Sequence, residues 1–372
     1  MKQESPPALR FLDEALSATE RAGLLRARPR AGTGLELTFC SNDYLGLASR
    51  PPPARPSGSG ASRLVAGERD DHVDVEHVAA DLVNLPSALA FTSGYAANVG
   101  LLSALAGPED LIVSDALNHA SIVDGARLSK ARVAIVGHLD VGAVEAALAE
   151  WRGRRAFVVT ESYFSMDADA PDLAALRGVC DTHGAALIVD EAHALGVLGP
   201  EGRGLCAAAG VQPDALVATF GKSFGAGGAF VAGCPSLVTW LWNRARSFVF
   251  STGLSPAVAS AAAAGLRASL AEPERRERAL ASARQFREGL VEAGVRPMGF
   301  AHVIPWVLGD PGIAVRASEA LRELGIDVRA IRPPSVAVGT ARLRFAVTAS
   351  HRGADIGRAV EAVAGLVRRG LS

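Results

Sequence analysis

Lys222 stands 32 residues after Asp190 and 29 after His193. The two segments concerned are Ala186-Leu187-Ile188-Val189-Asp190-Glu191-Ala192-His193 and Leu216-Val217-Ala218-Thr219-Phe220-Gly221-Lys222-Ser223. Each reads as a buried strand followed by a polar tip, so an acid and an amine arrive at the same end of one sheet. That pairing suits a pyridine cofactor held by the lysine as a Schiff base. The carboxylate would keep the ring nitrogen protonated, and the ring would then accept electrons. A carboxylate ending an apolar strand is costly unless paired, and a pyridinium would supply a charge-assisted partner for Asp190.

Other residues gain weight from this company. Ser93-Gly94-Tyr95-Ala96-Ala97-Asn98 follows a strand and opens a helix, where a glycine lets phosphate approach bare N–H groups. Taken alone, that segment is better read as a plain strand–helix turn. Thr219 could add a hydroxyl to the same phosphate. His119, in Asn118-His119-Ala120-Ser121, could lie flat on a pyridine ring, although most isolated histidines are surface or hydrogen-bonded residues. Ser165, in Phe164-Ser165-Met166-Asp167, could bond near a phenolic oxygen; an ordinary turn serine is the equal alternative. Arg342 and Arg344 alternate with Leu343 along a strand and face one side, where guanidinium groups could clamp a carboxylate. The alternative is a solvated strand face.

Two nucleotide motifs fail. Gly221-Lys222-Ser223 lacks the first glycine of a P-loop, since Leu216 stands five residues before Gly221. Gly58-Ser59-Gly60 lacks the third glycine of a dinucleotide fingerprint, with Arg63 in its place.

At 372 residues the chain is long for one core, so two lobes are expected. A formal net charge of −1 gives no long-range pull toward nucleic acid or an anionic membrane. The four cysteines form no CxxC pair, which disfavours a zinc site or disulfide framework and fits a reducing cytoplasm. Neither a secretory signal at Met1–Pro7 nor an apolar run of membrane-spanning length is present.

The elements that must position these residues alternate. Strands are expected at Ala88–Thr92, Leu111–Ser114, Val133–Val136, Ala156–Thr160, Ala186–Asp190, Leu216–Phe220 and Ala229–Ala232, with helices between them such as Val141–Trp151 and Leu173–His183. This is a three-layer α/β/α pattern on a mainly parallel sheet. A helix after Pro7 carries Leu9, Leu12 and Leu16 on one face and stops at Gly23, before a polar connector with Arg26, Arg28 and Arg30. Residues 257–293 read as a helical bridge. A smaller α/β or α+β lobe follows, with strands His302–Leu308, Asp327–Ile331 and Leu343–Val347 and helices Ala314–Leu324 and Ile356–Arg368. The expected division is residues 1–38 as helix and connector, 39–256 as the large domain, and 257–372 as bridge and small C-terminal domain.

The ordered set resembles the α-oxoamine synthases, fold type I enzymes that use pyridoxal 5′-phosphate, over nearly the whole chain. It comprises the segments quoted above together with Ser41-Asn42-Asp43-Tyr44-Leu45-Gly46-Leu47 and Gly60-Ala61-Ser62-Arg63-Leu64-Val65-Ala66-Gly67. Within that family, Ala330–Ser335 and Gly339–Arg344 are similar to the branch that joins L-alanine to a pimeloyl thioester of coenzyme A or acyl carrier protein. Branches using glycine and acetyl-CoA, or other amino acids and acyl chains, share the cofactor chemistry; an aminotransferase or lyase of the same fold type is the more distant alternative.

The resemblance implies that Lys222 makes the covalent link and Asp190 partners the ring nitrogen. It further implies that His193 and Ser165 bond near the phenolic oxygen, and that His119 stacks on the ring. Gly94, Tyr95 and Thr219 would hold phosphate, and Ser251 or Thr252 would reach the neighbouring subunit's cofactor in a homodimer with shared sites. Arg344 would grip the amino-acid carboxylate, with Arg26 and Asn42 toward the acyl substrate; no metal is implied. The chain departs from the family pattern in a short proline-rich stretch at residues 48–57, at Ser162-Tyr163, and at Ala194-Leu195.

Overall fold

The computed structural model describes residues 7–9, 11–26 and 37–371, so Arg28 and Arg30 lie outside the described residues. The chain forms two units. The larger contains residues 42–281 and 348–350, and the smaller contains 1–41, 282–347 and 351–372.

In the larger unit a seven-stranded sheet is built from β1 (Ser87–Phe91), β2 (Leu111–Asp115), β3 (Arg132–Val136), β4 (Ala156–Glu161), β5 (Ala186–Asp190), β6 (Ala215–Thr219) and β7 (Ala229–Gly233). Their order is β1-β7-β6-β5-β4-β2-β3. β7 runs antiparallel to both neighbours, and every other pairing is parallel. The expected strands form because alternate residues enter two covered faces. Ile188 packs with Val159 and Val217 on one face, while Leu187 and Val189 pack with Val158 and Val113 on the other.

Helix α1 (Gly94–Leu105) follows β1 and α2 (Ala120–Ser129) follows β2. The expected helical bridge is two helices, α3 (Pro256–Ala271) and α4 (Pro273–Glu292), because Pro273 has no N–H to continue the first. Ala259, Ala262, Ala263 and Leu266 of α3 share a core with Leu216, Ala218 and Phe230 of the sheet. This helix therefore belongs with the larger unit, and the division falls inside α4 at residues 281/282 rather than at 256/257.

In the smaller unit β8 (Val303–Gly309), β9 (Arg329–Ile331) and β10 (Ala341–Ala346) form an antiparallel sheet in the order β9-β10-β8. The strand expected over Asp327–Ile331 is split, with Ile326–Asp327 pairing instead with Leu37–Thr38 in parallel. Helices α5 (Pro311–Glu323) and α6 (Gly353–Arg368) cover this sheet, and Phe39, Phe286, Trp306, Leu343 and Phe345 lie in its core. The N-terminal helix runs Phe11–Arg21 with Gly23 at φ 67°, yet Leu9, Leu12 and Leu16 are all exposed in this chain.

Two local devices hold the segments that carry chemistry. The turn from β6 to β7 contains Lys222 and is closed by Phe220 N–H to the Gly228 carbonyl and by the Ser223 hydroxyl to the Leu195 carbonyl (2.8 Å). Helix α3 approaches this turn at Gly265, where a Cβ would stand 2.1 Å from the Phe224 carbonyl oxygen. His138 clamps the turn after β4. Its Nδ1 lies 2.9 Å from Asp115 Oδ1 and its Nε2 lies 3.1 Å from Asp169 Oδ2. A carboxylate at each ring nitrogen requires a donor at both, which only the imidazolium provides. Burial pulls the His138 pKa down, but the two carboxylates outweigh it and leave it raised. Burial also raises the Asp169 carboxyl, against the opposing pull of His138.

Gly265→Ala should cost roughly 1–3 kcal/mol of stability through overpacking against Phe224, read as a lower denaturant midpoint. His138 should contribute stability that is complete below the ordinary histidine range and lost as pH rises through its raised folded value. The loss in unfolding free energy on His138→Gln should be about 1–2 kcal/mol at pH 6 and shrink at pH 9. An equal loss at both pH values would exclude the charged clamp.

Candidate active site

The parallel strands deliver their C-terminal ends to one edge, and the helices that follow begin at that edge. There a cavity of about 200 Å³ is lined by Gly94, Tyr95, Asn98, His119, Ser121, Glu161, Asp190, Ala192, His193, Thr219 and Lys222. All belong to the larger unit. The structure thus brings together Lys222, Asp190, His193, His119, Gly94, Tyr95 and Thr219 from four separate stretches of chain.

Asp190, at the end of β5, is buried, and both of its hydrogen-bond donors are neutral. Asn98 Nδ2 donates to Oδ2 at 2.7 Å, and the Ala192 N–H donates to Oδ1 at 2.9 Å. Its charge is therefore available to a cation placed in the cavity. Glu161, the register partner of Asp190 on β4, is buried. Burial first, and then the Asp190 charge, push its carboxyl up to about 8, against a weaker opposing effect of Lys222. Its Oε1 accepts the His119 backbone N–H at 2.8 Å. His119 caps α2, and burial lowers its pKa, with Asp190 opposing and Lys222 assisting. His193 Nδ1 lies 2.8 Å from the Tyr44 hydroxyl, which bonds Asn42 Oδ1 at 3.1 Å.

At the other side of the cavity, α1 starts at Gly94. Ser93 caps it by accepting from the Ala96 N–H (3.1 Å), which leaves the first N–H groups directed at the opening. Thr219 Oγ1 donates to the Gly228 carbonyl (2.9 Å) and accepts from the Gly221 N–H (3.1 Å). The Tyr95 hydroxyl is tied to Asp124 at 2.5 Å and its ring is half exposed, so what Tyr95 offers an anion is its place at the helix start.

These features fit pyridoxal phosphate: a helix N-terminus for the phosphate, a buried carboxylate for a ring cation, a flanking imidazole and a lysine. Several expected residues lie elsewhere. Ser165 is half-buried in the turn beyond β4 and does not line the cavity. Ser251 and Thr252 line a separate small cavity with Arg63 and Phe248. Arg26 and Arg344 belong to the smaller unit. Arg26 donates to Ser335 Oγ at 3.0 Å, and Arg344 is buried on β10 opposite Arg329. Arg342 is buried too, so the solvated-face alternative does not hold. Sequence reasoning assigned no role to Asn98, Ser121, Glu161 or Tyr44, although three of these stand inside motifs quoted for the resemblance.

Residues 36–363 match the family model for aminotransferase class I and II. An 8-amino-7-oxononanoate synthase of Anaeromyxobacter dehalogenans is 44% identical over 97% of this chain and 96% of its own. One of Mycolicibacterium smegmatis is 46% identical over 88% of this chain and 87% of its own. A serine palmitoyltransferase solved with pyridoxal phosphate superposes with a TM-score of 0.91 at 28% identity, covering 100% of both chains. The chain belongs to the aminotransferase class I and II family, within its α-oxoamine synthase branch of pyridoxal phosphate-dependent fold type I enzymes.

Proposed function

We propose that this chain joins L-alanine to a pimeloyl thioester, releasing carbon dioxide and the free thiol and forming 8-amino-7-oxononanoate for biotin synthesis. The observation that carries this is near-full-length identity of 44% to synthases of that product, in a chain whose cavity keeps the lysine, the acid and the histidine. When bound, pyridoxal phosphate supplies an electron sink for the bonds broken and made at the alanine Cα.

The chain's own groups do the rest. The N–H groups at Gly94 and Tyr95, with Thr219 beside them, would take the phosphate, and Asp190 would balance positive charge at the ring end. Lys222 would hold the cofactor covalently, and its amine is assigned the proton at the alanine Cα. The new C–C bond forms to the thioester carbonyl as the thiolate leaves; the former alanine carboxyl then leaves Cα as carbon dioxide, and Cα is reprotonated. His119 would flank the ring, and His193, braced by Tyr44, faces the same cavity, while Ser165 in the turn beyond β4 is assigned the phenolic oxygen. Arg344 is assigned the amino-acid carboxylate, and Arg26 and Asn42 the acyl substrate. We assign a homodimer, supported by the exposed apolar side chains of Val65 and of Phe250, which adjoins Ser251 and Thr252. A cytoplasmic setting is supported by four unpaired cysteines and by the absence, among the described residues, of a helix able to cross a membrane.

A turnover panel crossing alanine, glycine and serine with several acyl thioesters should release thiol fastest with alanine and pimeloyl-CoA or its carrier-protein form. Release only with glycine and acetyl-CoA would remove this assignment. Lys222→Ala should lower turnover by roughly 10³-fold or more while still binding cofactor weakly, and borohydride should fix cofactor to the wild-type peptide that carries Lys222. Asp190→Asn should slow exchange of the alanine Cα hydrogen with deuterated water by about 10²-fold, and unaltered exchange would exclude its electrostatic role.

A further inference from the structure

His119 and Asp190 are joined by a run of hydrogen bonds through two side chains that the chemistry above leaves unused. The Ser121 backbone N–H donates to His119 Nδ1 at 3.2 Å. A backbone N–H can only donate, so Nδ1 is bare and the imidazole proton sits on Nε2. The Ser121 hydroxyl lies 2.8 Å from the same nitrogen, and its oxygen accepts from Asn98 Nδ2 at 3.0 Å. The other hydrogen of that amide goes to Asp190 Oδ2 at 2.7 Å. Turning the amide over would set its carbonyl oxygen against a carboxylate, so charge decides its orientation. Because the backbone N–H fixes Nδ1 as an acceptor, the Ser121 hydroxyl can meet that nitrogen only as a donor, while its oxygen accepts from Asn98. Asn98 is 2% exposed and Ser121 is 0% exposed, so both bonds are shielded from bulk water.

We propose that Asn98 and Ser121 are positioning residues that hold His119 as the neutral Nε2–H imidazole and register it against the Asp190 carboxylate. The proposal rests on reading this cavity as the cofactor site. The charged groups acting on the His119 ring come from separate elements. Asp190 of β5 favours a second proton, Lys222 of the β6–β7 turn opposes it, and burial opposes it most. Glu161 of β4 is engaged by the His119 backbone N–H. A protonated His119 would place positive charge beside the very cation that Asp190 is there to balance, competing for its field. The bare Nδ1 also removes His119 as a base toward the cavity and makes its Nε2–H a donor there. That leaves Lys222 to move the proton at Cα.

The test is histidine side-chain ¹H–¹⁵N NMR on the full chain labelled with ¹⁵N-histidine, recorded without cofactor and again with pyridoxal phosphate added. The His119 signals are identified by their loss in His119→Gln. A bare Nδ1 and a protonated Nε2 at neutral pH are expected in both states, with a titration midpoint below the ordinary histidine value. Asn98→Leu removes the amide donor that fixes the Ser121 hydroxyl, so the hydroxyl can turn and accept from a protonated Nδ1, and Ser121→Ala removes the hydroxyl donor. Each should raise the midpoint by about 0.5–1 pH unit, and the acid limb of kcat/KM should move the same way. An Nδ1–H tautomer in the wild-type protein overturns the proposal even if neither variant folds, as does an unchanged midpoint in folded variants. None of the NMR measurements needs turnover, so a chain that shows the tautomer but consumes no thioester refutes the proposed function and not this lock.

Discussion

The buried carboxylate of Asp190 is the constraint around which the larger unit is arranged. Removing an ionised acid from water is expensive, and neutral donors recover only part of the cost. Asn98 and the Ala192 N–H hold the carboxylate in one orientation without cancelling its charge. A cation placed in this cavity would therefore meet a negative charge that its neutral donors leave uncancelled. The parallel sheet makes the arrangement possible, because it sets the helix N-terminus at Gly94 on the same edge as the carboxylate.

Three neighbouring acids show how position decides their use. Asp190 and Glu191 are consecutive at a strand end and so point in opposite directions. Asp190 faces the cavity, while Glu191 is fully buried and accepts from the Leu205 and Cys206 N–H groups and the Ser162 hydroxyl. Glu191 thereby fastens the start of the helix Gly204–Ala208 to the end of the sheet. Glu161 lies beside Asp190 across the ladder, and one buried charge raises the cost of a second. One acid faces the cavity, one holds the backbone, and one is pushed toward its neutral form.

Much of this was legible in the residues. The inner sheet strands were visible because both faces are covered, so their runs are largely apolar, whereas the edge strand β3 leaves Val133 and Ile135 exposed. Lys222, Asp190, His119 and the Gly94 turn were visible because each stands where a strand stops. Less was legible where contacts skip along the chain. Asn98 reaches Ser121 across 23 residues and Asp190 across 92, separations that leave no periodic trace. Residues 257–293 read as one helical bridge although Pro273 divides it, and the pattern of α3 alone did not say which core would take it, because its small residues suit several partners.

Residue type and order by themselves determined the sheet, its mainly parallel sense, the family, and the acid–lysine pair that implies a Schiff base, because strand burial and polar tips are local properties of the chain. Tertiary packing alone decided that His119 carries its proton on Nε2, that Glu161 is raised beside Asp190, and that Glu191 is structural. Proton positions and carboxyl charges depend on which donors and charges converge within a few ångströms, and that convergence exists only once the distant strand ends share an edge.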